Sequence, residues 1–324
     1  MTCPAPADLS PDFACKARIV AEDFAGMRAQ GFGLAHRAGL DAVLAPVRVR
    51  RLWHRVPQKL WPLPLRAVHP IEGGAHDELL ISVGGLGGRI GRALKRRDHQ
   101  ALVQIQNPRM RLDAFDLIVA NVHDGLRGPN VVSVRNALHG VTLDVLAHAR
   151  HAWSARLRPD GRPLVSVLVG GANGRFRFGV SEAVTLGADL RAMAERDGAR
   201  IVLTPSRRTD PQAVAVLRAA LEPLGGVVWN GEGDNPYLGL LACADMIVVT
   251  MDSVSMVSEA VATAAPVMVA PLPGSSKRIN RFLETLRSAG RVRMLEPRFA
   301  SWQVSPLDDT AMAAEEMRAR LGLH

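Results

Sequence analysis

Short apolar runs rich in Val and Ile alternate with longer amphipathic stretches along this sequence, and the pattern occurs twice. In the first half the runs are ARIVA (17–21), DAVLAPV (41–47), ELLISVG (78–84), ALVQIQN (101–107), DLIVAN (116–121) and NVVSV (130–134). In the second half they are LVSVLVGG (164–171), ARIVLTPS (199–206), GVVWNGE (226–232), DMIVVTM (245–251) and PVMVAPL (266–272). Helical stretches lie between them, among them residues 26–39, 88–97, 181–198, 211–225, 255–265 and 277–290. Strands joined through helices imply parallel sheets covered on both faces. The pattern restarts near residue 163, after the polar, basic segment HARHAWSARLRPDGRP with its PDGRP turn signal. The expected fold is therefore α/β, with two doubly wound, Rossmann-type parallel-sheet domains facing across a cleft. Expected boundaries are 1–15 for a flexible leader, 16–150 for the first domain, 151–305 for the second, and 306–324 for a helix crossing back to the first.

A length of 324 residues, 48% of them hydrophobic, suits two cores rather than one. No run of eighteen apolar residues exists, so no transmembrane helix is expected. The first residues lack a basic region followed by an apolar core, so neither is a secretory signal. The three cysteines, Cys3, Cys15 and Cys243, form no CxxC pair. They suit a reducing cytosol and argue against a disulfide framework or a metal site. The net charge is +9, nearly all of it from arginine, which points to an anionic partner without choosing among phosphate, nucleic acid and an acidic membrane. Aromatic residues make up only 4%, too few to interleave with arginine along a nucleic-acid surface, so nucleic acid is not expected as a partner.

In sheets of this kind ligands sit beyond the carboxyl ends of the strands. Four consecutive strands of the second half end in polar loops. The first is VGGANGRFRFG, where Gly171 allows close backbone approach and Asn173 and Arg175 follow. TPSRRTD supplies Ser206, Arg207 and Arg208, and arginine suits bidentate phosphate contact. GEGDNPYLG supplies Asn235, Pro236 and Tyr237; Asn235 as a cap with Pro236 in the first turn accounts for two of these on structural grounds alone. The fourth, TMDSVSMVSEA, carries Asp252, Ser253, Ser255 and Glu259. With Ser255 as helix cap, Glu259 stands on a polar side one turn in, where a carboxylate can accept from a pair of ribose hydroxyls. The helix N-terminus before it favours anions. A solvated face with an ordinary serine cap reads the same residues differently. The four loops together predict a nucleotide site, with diphosphate near Ser253, Ser255 and the arginines.

In the first half, SVGGLGGRIGRALKRR (82–97) reads as a glycine-rich strand-to-helix loop that misses the dinucleotide fingerprint. His123 and Asp124 are adjacent after a strand, which suits a base for a hydroxyl as well as a surface pair. The segment VRVRRLWHRVPQKLWPLPLR (47–66) mixes Arg, Trp and Pro; it suits a membrane interface or a basic loop covering the first domain.

The segments VQIQNPR, HDGLRGPNV, TPSRRT, NPYLGLLACAD and IVVTMDSVSMVSEA together resemble the bacterial branch of the mitochondrial-fission (elongated-mitochondria) family, whose members are taken to be glycosyltransferases of the GT-B type. The resemblance runs over residues 17–295. DSVSMVSEA is also similar to the donor segment of GT-B enzymes, in which a glutamate at the place of Glu259 holds the ribose of a uridine nucleotide. The resemblance implies a GT-B-like fold. The second domain would bind a UDP-linked sugar as donor, without a tightly bound cofactor or a metal. The first domain would take an acceptor, an envelope component, on loops carrying Ala25, Gly26, Gln30, Gly85, Gln106 and Arg127. His123 and Asp124 would be its catalytic groups. One departure stands out. The family's first loop reads T-D-G-x-A-G-x-x-N-Q; here AEDFAGMRAQ keeps Ala25, Gly26 and Gln30 but has Glu22, Asp23 and Ala29 in place of Asp, Gly and Asn. The second functional expectation is accordingly a non-catalytic adaptor that keeps the nucleotide fold to recruit a protein. The expected location is the cytoplasm or, peripherally, the inner, anionic face of the cell membrane.

Overall fold

The computed structural model describes residues 15–71 and 79–323. Residues 1–14, most of the expected leader, lie outside the described residues, as does Glu78 at the head of ELLISVG. The chain forms two compact units. The first reaches Val134 and takes in Leu138–Gly140 and the chain from Asp309 onward; the second holds Arg135–Ala137 and Val141–Asp308.

The first unit has strands β1 (Cys15–Ala21), β2 (Leu40–Pro46), β3 (Leu79–Val83), β4 (Leu102–Ile105), β5 (Leu117–Asn121) and β6 (Val131–Val134), all parallel, in the order β2-β1-β3-β4-β5-β6. Helix α1 (Ala25–Arg37), the short α2 (Pro64–Ala67) and α3 (Gly84–Asp98) connect them. The second unit begins with α4 (Leu143–Leu157). Its strands are β7 (Leu164–Val169), β8 (Arg200–Pro205), β9 (Val227–Val228), β10 (Met246–Thr250), β11 (Val267–Ala270) and β12 (Val292–Met294), parallel in the order β12-β11-β10-β7-β8-β9. Its other helices are α5 (Val180–Asp197), α6 (Pro211–Leu221), α7 (Tyr237–Cys243), α8 (Val254–Val261) and α9 (Lys277–Ser288). Helix α10 (Asp309–Leu321) packs in the first unit.

Alternation along each strand fills a core on either face. In the first unit Ile19, Ile81 and Val103 meet Leu34 of α1 and Met317 of α10 on one side. Val20, Leu80 and Leu102 meet Leu86, Ile90 and Leu94 of α3 on the other. In the second unit Leu164, Leu168 and Val249 face Leu240 of α7 and Val257 of α8, while Val165, Val167 and Val248 face Leu186 of α5 and Leu217 of α6. The strand order reverses direction between β7 and β10, which puts a crevice at their carboxyl ends.

Several expectations are corrected. Residues 141–150 belong to the second unit, not the first, and much of the polar, basic segment at the expected boundary is α4, capped by Thr142 Oγ1 accepting from the Val145 N–H at 3.1 Å. Its apolar residues explain this: Leu146 and Trp153 pack on the core that holds Leu240 and Leu241. The third strand of the second half shrinks from GVVWNGE to Val227–Val228. The glycine-rich loop of the first half is not a loop, because α3 begins at Gly84. Its glycines instead let the helix lie close on the sheet. A Cβ on Gly87 would stand 2.5 Å from the Val20 carbonyl oxygen, and one on Gly88 2.5 Å from Gln104 Oε1.

This packing predicts opposite effects from one substitution at two places on α3. Gly87→Ala forces helix from sheet and should cost about 1–3 kcal/mol in urea unfolding. Gly85→Ala, whose Cβ meets nothing within 4 Å, should leave stability unchanged or slightly raised.

Candidate functional site

The residues predicted for a nucleotide do gather at the carboxyl ends of β7, β8 and β10, and Asp252 ties them. It follows β10, and its side chain is fully buried. It accepts from the Gly171 N–H at 3.0 Å, the Thr250 hydroxyl at 2.7 Å and Arg208 Nη2 at 3.1 Å. Arg208 also donates to the carbonyls of Gly171 and Ala172. Asn173 Nδ2 donates to the Asp252 carbonyl at 3.1 Å, while Asn173 Oδ1 accepts from the N–H groups of Arg175 and Phe176. Ser206 and Thr209 both donate to the Gly170 carbonyl, which fastens the β8 loop to the β7 loop. The Gly-Gly pair has its reason here. A Cβ on Gly170 would stand 2.3 Å from Asp252 Oδ2, and Gly171, at φ 157°, has the Arg208 carbonyl 2.4 Å from the same position.

Two expectations change as a result. Arg208 pairs with Asp252 through Nη2 while its side chain stays 45% exposed, so part of its charge is matched within the protein. Arg207 is exposed, and Arg175 is exposed with Nη1 3.4 Å from Ser276 Oγ. With Arg177, also exposed, they are cations on these loops that no described carboxylate neutralises. The helix also starts earlier than expected: Ser253, not Ser255, is the N-cap of α8, and it makes no side-chain cap bond. The first-turn N–H groups, at Val254, Ser255 and Met256, have no intrahelical acceptor. Ser258, expected on the polar side, is fully buried and accepts from the Ala137 N–H at 2.9 Å.

Glu259 is not on a solvated face either. Its side chain is half-buried, and the Tyr237 hydroxyl donates to its Oε2. Burial raises its pKa from the ordinary 4.5 to about 7, against a smaller opposing effect of the Tyr237 hydrogen bond. Tyr237 is pushed well above its ordinary value by burial and then by the neighbouring carboxylate. Helix α7 brings the tyrosine there. It starts at Tyr237, one residue later than expected, and the Tyr237 N–H donates to Asn235 Oδ1 at 3.0 Å. Asn235 itself is exposed. The Tyr237–Glu259 pair was not legible in the sequence, since 22 residues separate its members. Thr250 and Thr209 were missed as well; a threonine as the last strand residue and another before a capping Asp were the available signals.

In the first unit the structure joins some predicted residues and separates others. Gln30 Nε2 donates to the Gly26 carbonyl at 3.0 Å, and Gln106 Nε2 donates to Gln30 Oε1 at 3.2 Å. Gln106 and Arg109 lie in the left-handed region, at φ 71° and 55°, so the QNPR turn is strained. Gly85 is the second residue of α3, Ala25 opens α1, and Arg127 is exposed on a loop. His123 and Asp124 form a 3-10 turn after β5. Their nearest charged atoms are 3.9 Å apart, beyond hydrogen-bond reach, and the imidazole is only 3% exposed. A base for a hydroxyl needs access, and this ring has little. Among the described residues no three His, Cys, Asp or Glu side chains gather as metal ligands.

A sequence profile described as Mitochondrial fission ELM1 matches residues 25–321. The "Mitochondrial fission protein ELM1" of Arabidopsis thaliana is 33% identical over 250 residues, which is 68% of this chain and 58% of the plant protein. The chain thus spans less than two thirds of that relative. Among solved structures, MnaA of S. aureus with UDP superposes with a TM-score of 0.54 at 11% identity, covering 95% of this chain and 97% of that one. MurG of Acinetobacter baumannii gives 0.51 at 11% identity, covering 95% and 90%. At that identity the likeness is one of fold, and the fold is GT-B-like.

The half-buried Glu259 carboxylate makes stability depend on pH. Because Glu259 holds its proton more tightly when folded, its contribution is greatest below pH 4.5 and is lost as pH rises through about 7. Glu259→Gln should therefore raise the unfolding free energy at pH 8, by at most about 3 kcal/mol, and leave it unchanged at pH 4. Thermal or urea melts at the two pH values measure this. Asp252→Ala should do the opposite and cost about 2–4 kcal/mol, since it strips the acceptor from three donors.

Proposed function

The chain belongs to the mitochondrial fission ELM1 family, and from that premise we propose that it is a glycosyltransferase using a UDP-linked sugar. The observation that carries the proposal is the half-buried Glu259, one turn into α8, its pKa raised to about 7 by burial, with Tyr237 as its one donor among the described residues. A carboxylate so poorly solvated gains from two ribose hydroxyls more than an exposed one would. The uncapped first turn of α8 supplies N–H groups and a positive dipole end for a diphosphate. Arg207 and Arg175 add charge that Asp252 does not neutralise. The UDP in the S. aureus MnaA structure of like fold supports uridine over other bases.

The chemistry follows from charge. An acceptor hydroxyl attacks the anomeric carbon, its proton passes to a base, and the bond from that carbon to the diphosphate oxygen breaks. Negative charge builds on the departing diphosphate, where the α8 N-terminus and the two arginines stabilise it. The acceptor, as an envelope component, would meet the first unit at its Gln30–Gln106 loops. The buried His123 ring is a poor base without local movement, and we leave the base unassigned.

The adaptor reading has its own support. Glu22, Asp23 and Ala29 depart from the family's first loop, Arg208 is paired with Asp252, and the family's name concerns organelle fission rather than sugar transfer.

Calorimetric titration with UDP, GDP and ADP tests the donor site. UDP should bind saturably, and Glu259→Ala should weaken it at least about tenfold, as loss of hydrogen bonds to a charged group does. Affinity should improve from pH 6 to pH 8, because the ionised carboxylate is the better acceptor. No binding of any diphosphate would overturn the proposal. UDP binding without UDP release from any UDP-sugar and acceptor extract would favour the adaptor.

A further inference from the structure

A second polar surface lies in the first unit, on α3 and the segment before it. A groove of about 440 Å³ has an apolar floor that includes Leu63, Leu65 and Met110, and it is edged by Arg66, Arg89, Arg92 and Arg96. Arg92 and Arg96 also line an adjoining hollow of about 560 Å³ with Lys95 and Arg111. Lys95 and Arg111 are neutralised, by Asp116 and Asp113, each at 2.6 Å. The other four arginines have no acidic partner among the described residues. They crowd one another: burial and the charges of Arg96, Arg111 and Arg89 hold the Arg92 guanidinium below its ordinary range, with Asp113 opposing. Its Nε is buried without a hydrogen-bond partner. A bound anion would relieve this arrangement.

Apolar side chains decide which anion. On the neighbouring 3-10 turns, Leu52 is 86% exposed, Leu60 68%, and Leu63 at the groove 52%. The two tryptophans of this segment, which the sequence offered as interfacial groups, turn out to pack inward. Trp61 is buried, its Nε1 donating to the Val56 carbonyl, and it meets Trp53 edge to face at 5.9 Å. Single-stranded nucleic acid would need exposed aromatic faces for stacking. Exposed leucines beside unpaired arginines instead match a lipid surface, where acyl chains take up the leucines and phosphate esters meet the guanidinium groups. We propose that this face of the first unit docks peripherally on an anionic phospholipid bilayer, with a headgroup phosphate at Arg89, Arg92 and Arg96. The proposal is independent of the donor site.

Flotation of the full chain with vesicles tests it. Vesicles of phosphatidylcholine mixed with phosphatidylglycerol should carry the protein, those of phosphatidylcholine alone should not, and salt should weaken the binding. Arg92→Ala with Arg96→Ala should lower partitioning about 25-fold, at about fivefold per arginine near the surface. Leu52→Ser with Leu60→Ser should remove the part that resists salt. If the double arginine variant unfolds, Arg96→Ala alone, at an exposed position, decides by the single fivefold step. Equal flotation with neutral vesicles, no flotation at all, or unchanged partitioning of folded variants would overturn the proposal. So would loss of vesicle binding to competing duplex DNA at equal phosphate, which would mark a nucleic-acid surface.

Discussion

A carboxylate with no exposed surface is tolerable only where donors converge on it, and Asp252 meets three of them at the point where the second sheet reverses its strand order. The Gly171 N–H comes from the loop after β7, Arg208 from the loop after β8, and Thr250 from β10 itself. Three separate strand ends are thereby fixed with respect to one another before any ligand arrives. The glycines beside them, the two hydroxyls on the Gly170 carbonyl and the Asn173 turn all fit around this tie. The rim is rigid because its own electrostatics are satisfied. The same fact limits what the rim offers a ligand, since one of the arginines that looks available in the sequence is already paired with Asp252.

Glu259 is the counterpart. It sits in the same unit, is half-buried where Asp252 is fully buried, and has the Tyr237 hydroxyl for compensation among the described residues. Two carboxylates seven residues apart in sequence thus differ: one ties three strand ends together, and the other meets a single hydroxyl. The difference lies in the number of donors each finds, not in the residue type.

Periodicity made the two parallel sheets legible, because strands buried on both faces must read as apolar runs and the chain between them must be long enough to cross over. Those are short-range properties. The glycine-rich stretch after β3 was misread because glycine near a strand end signals either a loop or a helix lying close to a backbone, and only the position of the Val20 carbonyl distinguishes them. Helix α4 was hidden by its many histidines and arginines, which cover its outer side while Leu146 and Trp153 pack inward. In the candidate site, strand ends indicate which loops share the carboxyl edge of the sheet. Partners across loops, such as Arg208 with Asp252 or Tyr237 with Glu259, depend on three-dimensional register and leave no mark on local sequence. The tryptophans of residues 47–66 failed as a guide for the same reason, since composition does not tell which way a side chain turns.

The return of α10 to the first unit has a bearing on biosynthesis. Met317, Ala313 and Ala314 fill the core beside Ile19 and Leu34, yet they leave the ribosome after the whole of the second unit. The usual vectorial order, in which the earlier domain completes itself while the later one is still being made, is inverted here. The sheet translated first waits, with α1 in place but part of the same apolar face uncovered, until the residues of α10 have been made. Synthesis of α10 is thereby coupled to completion of the earlier unit, and a chain that stops short of residue 309 would be left with a finished second unit and an incompletely covered first.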